Sequence, residues 1–348
     1  MGQHPYQDLP TQAFWKTGVC AAQNDASLTE LYRKRFEISP TCRIATAGSC
    51  FAQHIHRTLH QQGCQVLDLE PAPPGLPEAE RQRFGYGLYS ARYGNIYSVR
   101  QLRQLVEEAE GCWQPTEICW QRGQRWVDAL RPGVEPEGLD SPEQVLQHRR
   151  HHLERVRQLL EQLDVFVFTL GLTECWRHNP SGTVYPLAPG TEAGVFDPAV
   201  HGFWNSSHSE ALEDLEQLLQ SLTRIRQGRA YRLLLTVSPV PLTATASSDH
   251  VLTATARSKA TLRSVAAELC DRHAHVAYFP SYELIHHPNR SDSPFADNRR
   301  SIRAEAVAEV MRVFLQAHGL KGGHQSNKAS LDDDAIQCEE ALLEQFAP

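Results

Sequence analysis

Residues 44–47 form a short apolar run that ends at Gly48; two small side chains follow, and then Phe51, Ile55 and Leu59 recur at helical spacing. This pattern predicts strand, sharp turn and helix over residues 42–62, with residues 63–68 reading as a second strand. Residues 71–77 hold four prolines and a glycine, which neither a helix nor a central strand accepts. Val99, Leu102, Leu105 and Val106 restart the helical period over residues 98–109. Val145, Leu153, Val156, Leu159, Leu160 and Leu163 carry a longer helix over 141–163, with Glu143 near its positive end. Residues 164–171 are β-branched and aromatic and end in glycine, the pattern of a strand buried on both faces. Two more strands are read at 231–237 and 275–279, and helices at 209–226, capped by Ser206 or Ser207, at 251–270 and at 301–318.

Strands that alternate with helices predict an α/β fold: a three-layer α/β/α sandwich with a largely parallel sheet. Its site is expected at the carboxyl ends of the strands carrying residues 44–47, 165–170 and 232–237. Around this domain, residues 40–320, the pattern weakens. Residues 1–39 read as an extension with a short helix over 28–36 capped by Ser27. Residues 111–140, with Trp113, Trp120 and Trp126 among glycines and prolines, read as an irregular or hairpin insertion. The tail, residues 321–348, passes an acidic run at Asp332-Asp333-Asp334 to a helix-like stretch at 339–346, and is expected to be mobile or to dock on a partner.

Composition narrows the function. Over 348 residues, 41% hydrophobic and 22% charged content suits a globular core. A net charge of −7, without a basic stripe interleaved with aromatics, argues against a nucleic-acid partner. The nine cysteines are odd in number and lack CxxC spacing, which fits a reducing compartment and small buried thiols. The 17 histidines are scattered, and the pairs His151-His152 and His286-His287 read as solvated faces, so no metal and no other cofactor is expected. The N-terminus has no basic region followed by an apolar one, and no run of 18 apolar residues occurs. A cytoplasmic protein without a membrane partner is expected. The oligomeric state stays open.

The chemistry-bearing stretch is Gly48-Ser49-Cys50. A side chain on a strand-to-helix turn stands beside the unpaired N–H groups of the helix, which can lower a cysteine pKa and hold an oxyanion. The bland alternative is a tight turn with a small buried cysteine.

Gly48-Ser49-Cys50-Phe51-Ala52 also resembles the string that names the GSCFA domain family, which is similar to the SGNH (GDSL-like) hydrolases. Further matches lie at residues 90–97, 169–174, 235–241 and 278–283, so the resemblance covers roughly residues 40–317. It implies an esterase or acyltransferase acting on an ester or thioester of a small molecule or glycan. It puts Cys50 at the nucleophile position, with Ser49 as runner-up. The Gly94 N–H, with Asn95 beside it, would help hold the oxyanion. Thr173 falls in the slot of the oxyanion asparagine and Glu174 in that of the neighbouring acid; a hydroxyl donates only one hydrogen bond. Where the family relatives have Asp-x-x-His, this chain has Asp297-Asn298-Arg299-Arg300, and a guanidinium cannot take the nucleophile's proton. The base is then expected elsewhere: His250 first, on the loop with Asp249 after a strand end, and His54 second. The competing class is a non-catalytic module that binds a glycan or acylated ligand in the same pocket; a third is metal chemistry through Glu174 and histidines.

Overall fold

The computed structural model describes residues 4–20, 30–320 and 339–347. Its centre is a four-stranded, all-parallel sheet in the order β1 (Ile44–Gly48), β4 (Val165–Leu170), β8 (Arg232–Val237), β9 (Val276–Phe279). Alternation along these strands divides the core into two layers. Ala45, Ala47, Phe166, Phe168, Leu170, Leu233 and Leu235 pack on one side, under α3 (Val99–Glu110), α4 (Pro142–Gln162), α5 (His208–Ile225) and α6 (Val251–Arg272). Ile44, Val165, Val167, Leu234, Ala277 and Phe279 pack on the other, under α1 (Phe51–Gln61), α7 (Ser281–His286) and α8 (Ala304–His318). The three-layer α/β/α sandwich read from the sequence is the architecture of the chain.

The helix starts follow their caps. Ser98, Ser141 and Ser207 each accept a backbone N–H of the first turn, and Ser207 with Glu210 forms a capping box, worth about 1 kcal/mol. The last helix begins at Ala304 rather than 301, because Ile302 bridges to Phe295 and keeps residues 301–303 extended.

Two further expectations are corrected. Residues 63–68 make no strand: Val66 forms a single bridge to Ile44, and the remaining edge of β1 is taken by Ser90, whose hydroxyl accepts the Thr46 N–H at 2.9 Å. The helix expected over 28–36 lies partly outside the described residues, and residues 30–36 are irregular and form no helix. The stretch 174–205, for which no strand is read from the sequence, holds a second sheet, with β5 (Glu174–His178) between β6 (Val184–Tyr185) and β7 (His201–Asn205). Within residues 111–140, β2 (Cys119–Arg122) and β3 (Arg125–Asp128) form a hairpin, and a six-residue helix α2 (Glu78–Arg83) precedes α3. The hairpin is tied to α4 by a buried ion network: Arg149 bonds Asp128 at 2.9 Å and also pairs with Glu108, and Arg131 bonds Asp128 at 2.9 Å.

Candidate active site

Strand β1 ends at Gly48 with φ +141°, and a Cβ there would lie 2.5 Å from the Thr169 carbonyl oxygen. Only glycine satisfies both the backbone angle and the approach. The close contact lets the Ser49 N–H bond the Thr169 carbonyl at 3.2 Å, continuing the sheet by one rung before the chain turns into α1. Cys50 is the N-cap of that helix, which has no side-chain cap bond and no acid in its first turn. The helix's own N–H dipoles at Cys50 are therefore not offset by a carboxylate from α1. Ser49 is buried, and its hydroxyl has no hydrogen-bond partner among the described residues. Its Cβ faces Gly171, where an added Cβ would lie 3.0 Å away.

Two other segments meet this turn. The Ile96 N–H bonds the Gly48 carbonyl at 2.9 Å, and the Gly171 and Leu172 N–H groups bond the Tyr97 carbonyl at 3.1 and 3.0 Å. Asn95 is buried, its Oδ1 accepting from the Tyr89 hydroxyl and from Gln53 Nε2 at 3.3 Å. The Tyr89 hydroxyl also lies 3.2 Å from the Ser49 carbonyl, so Asn95 is linked to the Gly48-Ser49-Cys50 turn through one phenol. Gly94, at φ +69°, precedes it. Ser49 and Asn95 are thus brought together through Tyr89, while Gly94 faces Arg131, Val134 and the Glu339 carboxylate.

Thr173 and Glu174 face different partners. The Thr173 hydroxyl donates to Asn205 Oδ1 at 2.7 Å, and its N–H bonds Ser258 Oγ at 2.9 Å. Its single hydroxyl proton is committed to β7. Glu174 opens β5 and accepts the Thr245 hydroxyl at 2.9 Å. Burial raises its carboxyl above the ordinary range, against Thr245 and Arg257, while Asp249 adds to the rise. It belongs with the loop before α6.

Neither expected base turns its chemistry toward Cys50 by a bond. His250 is the exposed N-cap of α6, with Nδ1 accepting the Leu252 N–H at 3.1 Å, so only Nε2 is left for proton transfer. His54 lines a cavity of about 590 Å³ between α1 and α8 with Met311 and Leu315. Burial, with Arg57 nearby, lowers its pKa to about 4. Among the described residues no three His, Cys, Asp or Glu side chains gather as a metal site, no disulfide forms, and no helix is long and apolar enough to cross a membrane.

A model of the GSCFA family matches residues 43–314, most of the chain. The chain belongs to the GSCFA family. Among solved structures it is similar to one described as a carbohydrate acetylesterase family member from Sinorhizobium meliloti, at 18% identity and a TM-score of 0.25, over 47% of this chain and 67% of that one. No curated protein matches it.

The site of this GSCFA chain contains residues that the sequence reading passed over. Lys259, on α6, is buried at 2% exposure and donates to the Gly171 carbonyl at 2.6 Å. Burial lowers its pKa to about 8, against the attraction of Glu340 and Cys50 and with the repulsion of Arg300. The signal was present: Lys259 is one of five lysines in the sequence, and it falls between Ala254, Ser258, Leu262 and Val265 on the buried face of α6. Arg300, at the position where histidine is expected, is buried and pairs with Glu340 at 3.2 Å. Glu340 belongs to a short 3-10 helix, Glu339–Phe346, that lies outside the family match. Its N–H bonds the Tyr97 hydroxyl at 3.2 Å, and the Glu339 carboxylate lies over Gly94 and Gly133. The tail expected to be mobile or to bind a partner instead docks, at this segment, on the chain's own site.

Proposed function

We propose that this GSCFA protein is an ester-bond hydrolase or acyltransferase, acting on an acyl ester or thioester of a small molecule or glycan, with Cys50 as nucleophile and Lys259 as its proton acceptor. The observation that carries this reading is Lys259: a lysine buried in the sheet's helical layer, bonded to the Gly171 carbonyl beside the nucleophile turn, with Cys50 among the charges it feels. A buried lysine without a close carboxylate partner costs stability, and a pKa near 8 suits it to exchange protons near neutral pH.

In the proposed mechanism, Lys259 as the amine takes the Cys50 thiol proton. The thiolate attacks the acyl carbon, a C–S bond forms, and the carbonyl π electrons move onto oxygen. The N–H groups of Cys50 and Gly94, with the Asn95 amide, are the candidate donors for that oxyanion. Asn95 takes the part first assigned to Thr173, since it is buried and tied to the Ser49 turn through Tyr89, with its amide oxygen held by Tyr89 and Gln53. When the intermediate collapses, the C–O or C–S bond to the leaving group breaks and the Lys259 ammonium returns the proton to it. Water or an acceptor hydroxyl then attacks the thioester, giving its proton to the amine, and the Cys50 thiol is restored. Ser49 remains the alternative nucleophile and His250 the alternative base.

Turnover of a p-nitrophenyl acyl ester and an acyl thioester by wild type, Cys50→Ala, Ser49→Ala, Lys259→Met and His250→Ala tests the reading. Loss with Cys50→Ala and Lys259→Met, with Ser49→Ala and His250→Ala active, is expected. Loss with His250→Ala and not Lys259→Met would return the base to the α6 N-cap.

One observation favours the non-catalytic reading: Arg300 holds the expected histidine position and is paired with a residue of the chain's own tail. In that case no variant and no substrate gives turnover, and Cys50 is no more reactive than the other thiols.

A further inference from the structure

The cavity of about 590 Å³ between α1 and α8 lies on the opposite side of the sheet from α6, and its two walls differ in chemistry. Val307, Met311 and Leu315 recur every four residues, so α8 presents them to the cavity as one apolar stripe. Gly319 ends the helix at φ +65°, a left-handed cap that glycine adopts without strain. The chain turns there, and Leu320 joins the same wall. On the other side, His54, Arg57, Thr58 and Gln61 share one face of α1 and make a polar wall. The volume is that of small-molecule sites, which run from about 300 to 1,000 Å³.

Two side chains of the polar wall lack partners. His54 is 8% exposed, and burial keeps its ring neutral with a pKa of about 4, yet the ring makes no hydrogen bond among the described residues. Half-buried Arg57 makes neither a hydrogen bond nor an ion pair among them. No Asp or Glu among the described residues lines the cavity. Buried polar groups are normally paired, so this wall is arranged for something that enters from outside. An apolar stripe opposite an unpaired guanidinium suits a ligand that is apolar along its length and anionic at one end. A carboxylate fits the planar fork of arginine with two bonds, and it can also accept the single N–H of a neutral imidazole.

We infer that the cavity between α1 and α8 is a binding site for a medium-chain aliphatic carboxylate, with its chain along the Val307, Met311 and Leu315 stripe and its head group on Arg57. Val307 and Leu315 are about 12 Å apart along the helix axis, which sets the length of chain the stripe can cover. The site is separate from the Gly48-Ser49-Cys50 turn and stands whichever residue reacts there.

The test is calorimetry of the full chain with hexanoate, octanoate and decanoate, with octan-1-ol as the neutral and decyltrimethylammonium as the cationic counterpart. Arg57→Gln removes the cation and Arg57→Lys keeps it. Ala308→Trp, at an exposed position of the cavity lining, fills the space without disturbing the core. Decanoate is expected to bind wild type, with the dissociation constant falling about fourfold for each methylene from hexanoate upward. Arg57→Gln should weaken decanoate roughly tenfold or more, about what a charge-assisted hydrogen bond supplies, and leave octan-1-ol unchanged. Arg57→Lys should keep part of the affinity, and Ala308→Trp should abolish binding of every probe while circular dichroism stays that of wild type. No decanoate binding to wild type at roughly 1 mM, an affinity indifferent to Arg57, or decyltrimethylammonium bound as tightly as decanoate would overturn the inference. Decanoate binding lost in Cys50→Ala would place the carboxylate at the reacting turn and overturn it as well. Self-association of wild type that Ala308→Trp abolishes would make a second copy of the chain the occupant, with the same consequence.

Discussion

Replacing Lys259 with methionine separates stability from chemistry. Burial brings the lysine's pKa from 10.5 to about 8, while the unfolded chain keeps the ordinary value. Between those two pH values the unfolded state holds more protons, so stability rises with pH across the window, and below about pH 8 the full cost of the buried charge is present. At about 1.4 kcal/mol per pKa unit, that cost is roughly 3 kcal/mol. Lys259→Met removes it and also loses the bond to Gly171, worth about 1 kcal/mol. Methionine's flexible side chain fills the space. The variant should therefore be more stable than wild type by about 2 kcal/mol at pH 7. At pH 10 the buried lysine of the folded protein is neutral, so most of the cost is gone and the advantage should fall close to zero. Urea unfolding at both pH values, with iodoacetamide labelling of Cys50 alongside, measures the whole effect. The more stable variant should have the slower Cys50. A Met variant less stable than wild type at pH 7, or equally advantaged at both pH values, would refute the account of Lys259 as a charge kept at a cost for the site.

Other outcomes follow from the same structure. Gly48→Ala should not yield folded protein, because its Cβ would lie 2.5 Å from the Thr169 carbonyl in a backbone region closed to L residues; circular dichroism and solubility report it. Arg149→Met leaves Asp128 and Glu108 buried without their main cation and should cost about 3–5 kcal/mol in urea unfolding, whereas a change within about 0.5 kcal/mol would make the network dispensable. Glu70 sits within this region, its Oε2 2.7 Å from His152 Nδ1. Burial alone would raise its carboxyl, but His152, Arg131 and the Arg92 N–H outweigh it and hold the pKa at about 2. Its contribution is present above the ordinary value of 4.5 and is lost as pH falls toward 2. Glu70→Gln should accordingly flatten the acid limb of the stability profile; an unchanged limb would show the ion pairs of Glu70 to be without effect.

The parallel sheet was legible because residues 165–170 and 233–237 are buried on both faces, and such strands leave an almost uninterrupted apolar record in the sequence. The start of α5 was legible because its Ser207 cap is local chemistry, read within four residues. The β5–β7 sheet was not. Glu174–His178 and His201–Asn205 carry charge, histidine and glycine, and they become strands through pairs such as Cys175 with Trp204 and Trp176 with Phe203, formed across a long separation in sequence. The turn at Gly48 could be read for the same reason as that cap, since strand, glycine and helix are contiguous. Lys259 and Glu340 could not be linked to it, because they come from α6 and the tail and reach Cys50 only through the folded sheet. Thr173 shows the converse: its place in the motif was right there in the chain, but Asn205, fixed by a strand pairing the sequence did not display, takes its proton.

The central claim is that Cys50 carries the acyl group. Brief reaction of the full-length protein with p-nitrophenyl acetate, followed by acid quenching and peptide mapping, tests it directly. The account predicts a hydroxylamine-labile acetyl group on Cys50, formed more slowly in Lys259→Met and absent from Cys50→Ala. An acetyl group on Ser49, or labelling spread evenly over the cysteines, would contradict it.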